Sequence, residues 1–210
     1  MITSYQGLID AITSYLYDRK DLAKSIPYFI GAAEAKIHRL LRIPANERWL
    51  ETKPADSAIP LPEDYLETRL LAYAGTPLKR ISNAEMAKRL QRDPAAGIPR
   101  NFARIGQEMV IHPAPTNTDD LVTLIYYAHF NGKLENEEES PIFDVAPDLF
   151  LHGALGEASA FLGQDSRIPV WERQYLSTIE ELRMQAAEEE LSGTGIAVQN
   201  AEGSRYDRAY

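Results

Sequence analysis

The chain has 210 residues, of which 44% are apolar, 25% charged and 9% aromatic, the profile of a folded domain and not of a disordered chain. It contains no cysteine, which excludes disulfides, zinc ribbons, thiol nucleophiles and iron-sulfur clusters. Its 22 cations stand against 31 acids, a net charge of -9 that repels nucleic acid and anionic membrane from the molecule as a whole.

No basic segment opens the chain and no run of 18 apolar residues occurs in it, so a soluble protein made in the cytosol is expected. From Thr3 to about Asp18, Tyr5, Leu8, Ile9, Ile12 and Leu16 recur at helical spacing, and Thr3 with Gln6 has the form of a capping box. A second helix is expected from Pro27, suited to a first helical position, to Arg42, with Ile30, Ala33, Ile37, Leu40 and Leu41 on one side and Ile43-Pro44 as its end.

The period then changes. Residues 49–52, 58–61 and 70–73 are short apolar runs bounded by Pro, Gly and Asp, which predicts strands. Gly75-Thr76-Pro77 predicts a turn, and Ser82 with Glu85 predicts a capped short helix to Arg92, stopped by Asp93-Pro94. Three β-prone runs follow at 102–105, 109–112 and 121–130, for which an antiparallel meander is the simplest arrangement. A polar loop is expected from Asn131 to Asp148, then helices over 149–162 and 170–191.

The expected fold class is therefore α+β: helices from residues 1–46 and 147–192 packed as a bundle, with a central antiparallel β insertion of short strands over 47–130 that includes one short helix. An acidic loop at 131–146 and a flexible arm at 193–210, with three glycines and no helical period, complete the division.

Chemical motifs are few. Histidines 38, 112, 129 and 152 are too scattered for a metal pair, and His112 and His152 are expected as satisfied or surface imidazoles. Neither a nucleophile elbow nor a phosphate loop occurs, so no cofactor and no catalytic residue is expected. The acid pairs Glu63-Asp64 and Asp119-Asp120 lie in turn-like sequence, where such residues serve structure.

Between Leu149 and Gly163 the small residues Gly153, Ala154, Gly156, Ala158, Ser159 and Ala160 predict close helix packing, which offsets the cost of Gly153 and Gly156 inside a helix. Glu157 either points to solvent or is buried with Arg39 or Arg42 as its partner.

Charge is unevenly spread. Residues 79–104 hold Lys79, Arg80, Lys88, Arg89, Arg92, Arg100 and Arg104 against Glu85 and Asp93, a local net of +5 that leaves -14 for the remainder. Residues 131–192 alone carry a net of -10, concentrated in Glu135, Glu137, Glu138 and Glu139 and in Glu188, Glu189 and Glu190. Such polarity suits contact with complementary partners, or else two solvated faces.

Several strings, in order, resemble one family. They are Ile26-Pro27-Tyr28-Phe29-Ile30 with Ala33-Glu34-Ala35-Lys36-Ile37 and Arg39 to Arg42, then Leu61-Pro62-Glu63-Asp64-Tyr65-Leu66-Glu67, Pro113-Ala114-Pro115, Tyr126-Tyr127-Ala128, Pro147 to Ala158, and Trp171 to Tyr175. Together they are similar to the adaptor proteins at the head-to-tail junction of short-tailed bacteriophages, the group that includes tail tubular protein A. The resemblance implies a non-enzymatic ring of twelve subunits in the virion, joining the portal protein to the tail nozzle protein, with tail fibres as a further contact and DNA only as passing cargo. A wall that passes DNA should not hold it, which makes Glu135, Glu137 to Glu139 and Glu188 to Glu190 candidates to face the channel and the basic segment a candidate for subunit or partner contact. Ile196, Val198, Tyr206 and Tyr210 on the terminal arm are candidates for docking on the portal. A cell-wall hydrolase using Glu63 or Glu157, and a cytosolic scaffolding protein, are the competing functions.

Overall fold

A computed structural model of the chain describes residues 2–54, 56–93, 96–129, 140–163 and 167–193. Helix α1 (Tyr5–Tyr15) is capped by Ser4, whose hydroxyl accepts from Gly7 N at 3.1 Å, one residue beyond the Thr3 expected in that role. Gln6 is drawn into its own helix, donating to Asp10 Oδ1 at 2.9 Å. Tyr17 and Asp18 then take left-handed backbone angles and end the helix.

Helix α2 (Ile26–Leu40) has Pro27 in its first turn but stops two residues short of Arg42. Arg42 lies beyond the end and caps it, its Nη1 donating to the carbonyls of His38 (2.6 Å) and Leu41 (2.8 Å).

Ten strands follow among the described residues. They are β1 (Glu47–Thr52), β2 (Ala58–Pro60), β3 (Tyr65–Tyr73), β4 (Thr76–Pro77), β5 (Lys79–Arg80), β6 (Ala96–Gly97), β7 (Asn101–Ile105), β8 (Glu108–His112), β9 (Ala114–Pro115) and β10 (Val122–Ala128), with α3 (Asn83–Arg92) between β5 and β6. Ser82 Oγ accepts from Glu85 N at 3.2 Å and starts α3 where the capping residues predict. Ala74 and Gly75 both have positive φ, the geometry of a type I′ turn, and close β3 onto β4. Gly106, with φ +63, opens the two-residue turn between β7 and β8, where it alone has positive φ.

The strands form a four-stranded sheet in the order β1-β10-β3-β4, a second in the order β2-β8-β7-β5, and the pair β6-β9. The expected meander is corrected here: β7 and β8 pair, but β10 leaves them and runs antiparallel between β1 and β3, with Leu124 opposite both Leu50 and Leu71. The connection from Pro113 carries the chain across to the other sheet, and on the way β9 pairs with β6. Two pairs, β5 with β7 and β6 with β9, are parallel, so the β region is mainly and not wholly antiparallel. Alternate residues Val122, Leu124, Tyr126 and Ala128 of β10 are buried in a cluster with Ile59, Leu71, Phe102, Met109 and Ile111.

The loop expected up to Asp148 is also corrected. Pro141–Val145 forms α4, and its Ile142 and Phe143 are buried, because a short apolar helix follows directly on the polar run. Helix α5 (Pro147–Leu162) ends at Gly163 in a left-handed conformation, and α6 (Ile168–Gly193) closes the described chain. A second cluster joins Leu8 and Ile12 of α1, Phe29, Ile30 and Ile37 of α2, Phe143 of α4, Leu149, Phe150 and Ala158 of α5, and Trp171, Tyr175 and Ile179 of α6. Helix α5 is its centre, touching α1, α2, α4 and α6. Elements are thus helical at both ends and β in the middle, a mixed α+β protein.

Candidate functional site

The side chains singled out by charge fall in three places. On the β region, Lys88, Arg89 and Arg92 of α3 meet Glu85, Asp93 and His112 around one cleft, with Arg89 Nε 3.0 Å from Glu85 Oε1. His112 is buried and its Nε2–H donates to the Asp93 carbonyl at 2.9 Å. Lys79 and Arg80 lie exposed on the edge strand β5, and Arg100 is exposed just before β7. Arg104 is set apart: its guanidinium lies over the Tyr65 ring, 4.8 Å from the centroid, and its Nε donates to Gly106 O. The basic segment is therefore divided between a cleft, a sheet edge and an inter-strand packing contact.

The second place is the junction between the two clusters. Arg69 of β3 bonds Glu47 of β1 at 2.9 Å and Glu190 of α6 at 3.1 Å, tying the far end of the last helix to the sheet. Arg42 reaches Glu67 at 3.2 Å, and Arg183 donates to the Leu40 carbonyl. Fully buried Asn46 accepts from Ile43 N at 3.0 Å and donates to Ala128 O at 3.4 Å. The His38 and His129 rings stand 6.5 Å apart, and burial, with these two neighbouring groups, His129 and Arg42, lowers the His38 pKa to about 4. Of the three terminal acids, Glu188 and Glu189 are exposed on α6, whereas Glu190 is held by Arg69. Nothing in the sequence marked Arg69, because its partners are distant in the chain.

The third place is the small-residue surface of α5. At Gly153 a Cβ would lie 2.9 Å from Ala33 Cβ and 3.2 Å from Tyr175 Cε2, so α2 and α6 approach as only glycine allows. Gly156, expected to pack in the same way, is corrected: nothing lies within 4 Å of a Cβ there. The space belongs to a cavity of about 110 Å³ between α2, α5 and α6, onto which Lys36, His152, Glu157, Glu172 and Tyr175 open. The partner of Glu157 is also corrected. It is Lys36 and not Arg39 or Arg42, because Lys36 lies on the α2 face turned to α5 while Arg42 has left the helix. Burial pushes the Tyr175 phenol up to about 12, against the pull of Arg39, and its hydroxyl has no hydrogen-bond partner. His152 stacks on Trp171 with centroids 6.1 Å apart, and burial lowers its pKa.

Candidate acids are occupied in turns. Asp119 pairs with Lys53 at 2.9 Å, Asp120 accepts from Tyr73 Oη at 2.9 Å, and Asp64 accepts from Tyr126 Oη at 3.0 Å. Among the described residues no group of three metal-ligating side chains converges, and no helix is long and apolar enough to cross a membrane. Glu135, Glu137 to Glu139, Ile196, Val198, Tyr206 and Tyr210 lie outside the described residues.

The described chain is thus a mixed α+β protein whose singled-out charged side chains fall on a cleft, a sheet edge and a junction. Residues 3–199 match the SU10 adaptor protein family, and the chain belongs to that family of phage adaptors. The membership agrees with the resemblance carried by the strings from Ile26 to Tyr175. No curated protein matches the chain.

Proposed function

We propose that the protein is the structural head-to-tail adaptor of a bacteriophage virion, a ring of twelve copies that joins the portal protein to the tail nozzle and surrounds the DNA path. The single observation that carries this is the family match over nearly the whole chain, residues 3–199. Net acidity supports it, since a chain of charge -9 offers passing phosphates no general attraction. In this reading the helical part, residues 1–46 and 147–192, and the β part, 47–130, are separate working units. Glu188 and Glu189, with Glu135 and Glu137 to Glu139, face the channel, and the basic residues of 79–104 meet an acidic neighbour. Residues 193–210 form an arm that docks on the portal through Ile196, Val198, Tyr206 and Tyr210, and tail fibres touch the outside of the ring. The protein acts without a cofactor and resides in the virion.

Mixing the purified protein with isolated portal rings and viewing the product by negative-stain microscopy tests the assignment. A second ring stacked on the portal is the expected result, and bare portal at saturating protein would overturn it. Removing residues 193–210 should abolish that stacking, and unchanged binding would refute the arm.

A further inference from the structure

The two faces of the sheet β1-β10-β3-β4 are unequal. Leu50, Leu124 and Leu71 turn inward to the β cluster. On the other face the register sets Trp49 of β1 opposite Ile125 of β10, and Ile125 opposite Leu70 of β3. This row of three large apolar side chains belongs to neither cluster among the described residues. Trp49 is 65% exposed and stands on the edge strand of the sheet, while Ile125 and Leu70 are half-buried. An uncovered apolar row that ends on a sheet edge is a place for another segment to dock.

The chain itself delivers an occupant. Two residues along from Trp49 and Ile125, on the same face, stand Glu47 and Tyr127. Beside them Arg69, which adjoins Leu70 in the chain, bonds both Glu47 and Glu190 of α6, the latter at 3.1 Å. Helix α6 ends at Gly193, three residues beyond that contact, so the chain leaves the helix next to the row. Seventeen residues follow, 194–210, which lie outside the described residues. An extended chain spans about 3.3–3.6 Å per residue, which puts Ile196 and Val198 within about 10–18 Å of Gly193. The row itself crosses three strands in about 10 Å. Composition matches too: residues 191–201 carry no charge, and Ile196 and Val198 alternate with the small Gly195 and Ala197. An uncharged segment with its branched side chains at every second position suits an uncharged row. So short a tether gives the chain's own arm a higher effective concentration than the arm of a second copy.

We propose that in the free subunit residues 194–199 lie across the outer face of the chain's own sheet, with Ile196 and Val198 seated on Trp49, Ile125 and Leu70. An arm held in this way must leave the sheet before it can reach a portal, so the docking stands or falls apart from the portal assignment. Trp49 reports on it directly, because Trp171, the other tryptophan, is 8% exposed and shielded from a collisional quencher. Acrylamide quenching of the full-length protein should be weak. Ile196→Ser/Val198→Ser should raise the quenching constant severalfold, whereas Tyr206→Ser/Tyr210→Ser should leave it low. Equally strong quenching in the wild type and the Ile196/Val198 variant would overturn the docking. Protection that holds on dilution is expected for the chain's own arm. Protection lost on dilution, in step with dissociation followed by sedimentation velocity, would overturn that source in favour of a second copy. A second measurement uses the absence of native cysteine. A nitroxide attached at Gln199→Cys should quench Trp49 in the monomer, and Trp49 emission indifferent to the label would overturn the placement. Wild-type protein that keeps Trp49 protected but does not stack on portal rings would refute the portal reading alone. Stacking by a wild type whose Trp49 is open when free would refute the docking alone.

Discussion

The helical and β regions of this chain bury their apolar residues by different routes. The helical cluster draws on residues 8–43 and 142–182, two stretches separated by the entire β region, whereas the β cluster lies within 59–128. The first cannot form until the two stretches meet across the whole β region, whereas the second combines two-residue hairpins, β3 with β4 and β7 with β8, with the longer closures of β10 onto β1 and β3 inside residues 47–128. Between them lies a polar seam of Arg42, Asn46, Glu67, Arg69 and Glu190. The contrast teaches that apolar burial makes each region, and hydrogen bonds and ion pairs set one against the other.

That difference can be broken most sharply at Phe150, 1% exposed and packed edge-on against Phe143 with centroids 5.3 Å apart. Phe150→Ala should cost the helical region about 3–5 kcal/mol. The chain has two tryptophans, Trp49 on β1 and Trp171 on α6, so each region carries its own reporter. In urea, with one tryptophan replaced by Phe at a time, the Trp171 transition should move far more than the Trp49 transition. Equal shifts would show that the polar seam couples the two into one cooperative unit.

A smaller effect comes from pH at the seam. His38 in the folded chain takes up a proton only near pH 4, whereas in the unfolded chain it does so near its ordinary 6.5. A depressed folded pKa means that stability is full above about pH 6.5 and declines as pH falls through the window towards 4, by at most about 1.4 kcal/mol per unit. His38→Gln should remove that part of the slope, measured as urea midpoints across the window. An unchanged slope would locate the acid sensitivity elsewhere.

Within α5 the two glycines should separate. Gly153→Ala brings a methyl to 2.9 Å from Ala33 Cβ and should cost about 1–3 kcal/mol by overpacking. Gly156→Ala meets open space and should stabilise by about 0.5–1 kcal/mol through helix propensity. Thermal unfolding of the pair checks both signs. The smallest effect is expected at Glu190→Gln, where loss of the exposed contact to Arg69 should change stability by less than about 1 kcal/mol in the same assay.

Much of the local structure was legible because it depends on neighbours in the chain. Apolar spacing over Leu8 to Leu16 and over Ile30 to Ile37 locates α1 and α2, and Ser82 with Glu85 locates the start of α3. Expectation and structure part where two local solutions are nearly equal, as with Thr3 and Ser4 for one cap, or where a polar run obscures a one-turn helix, as at α4. The candidate surfaces were less legible. Lys88, Arg89 and Arg92 share a cleft because a helix puts positions three and four apart on one face, but the separation of Arg104 from them could not be counted from charge.

By itself the sequence determined the element types, the absence of thiol chemistry, the uneven charge and the ordered strings that mark a phage adaptor family. Tertiary structure decided which strand β10 joins, that Lys36 and not an arginine meets Glu157, and that one α5 glycine is packed while the other opens a cavity. The physical reason is the range of the interactions. Propensity, capping and turns act over a few residues, whereas strand order, ion pairing and voids depend on segments far apart in the chain that meet only in the folded structure.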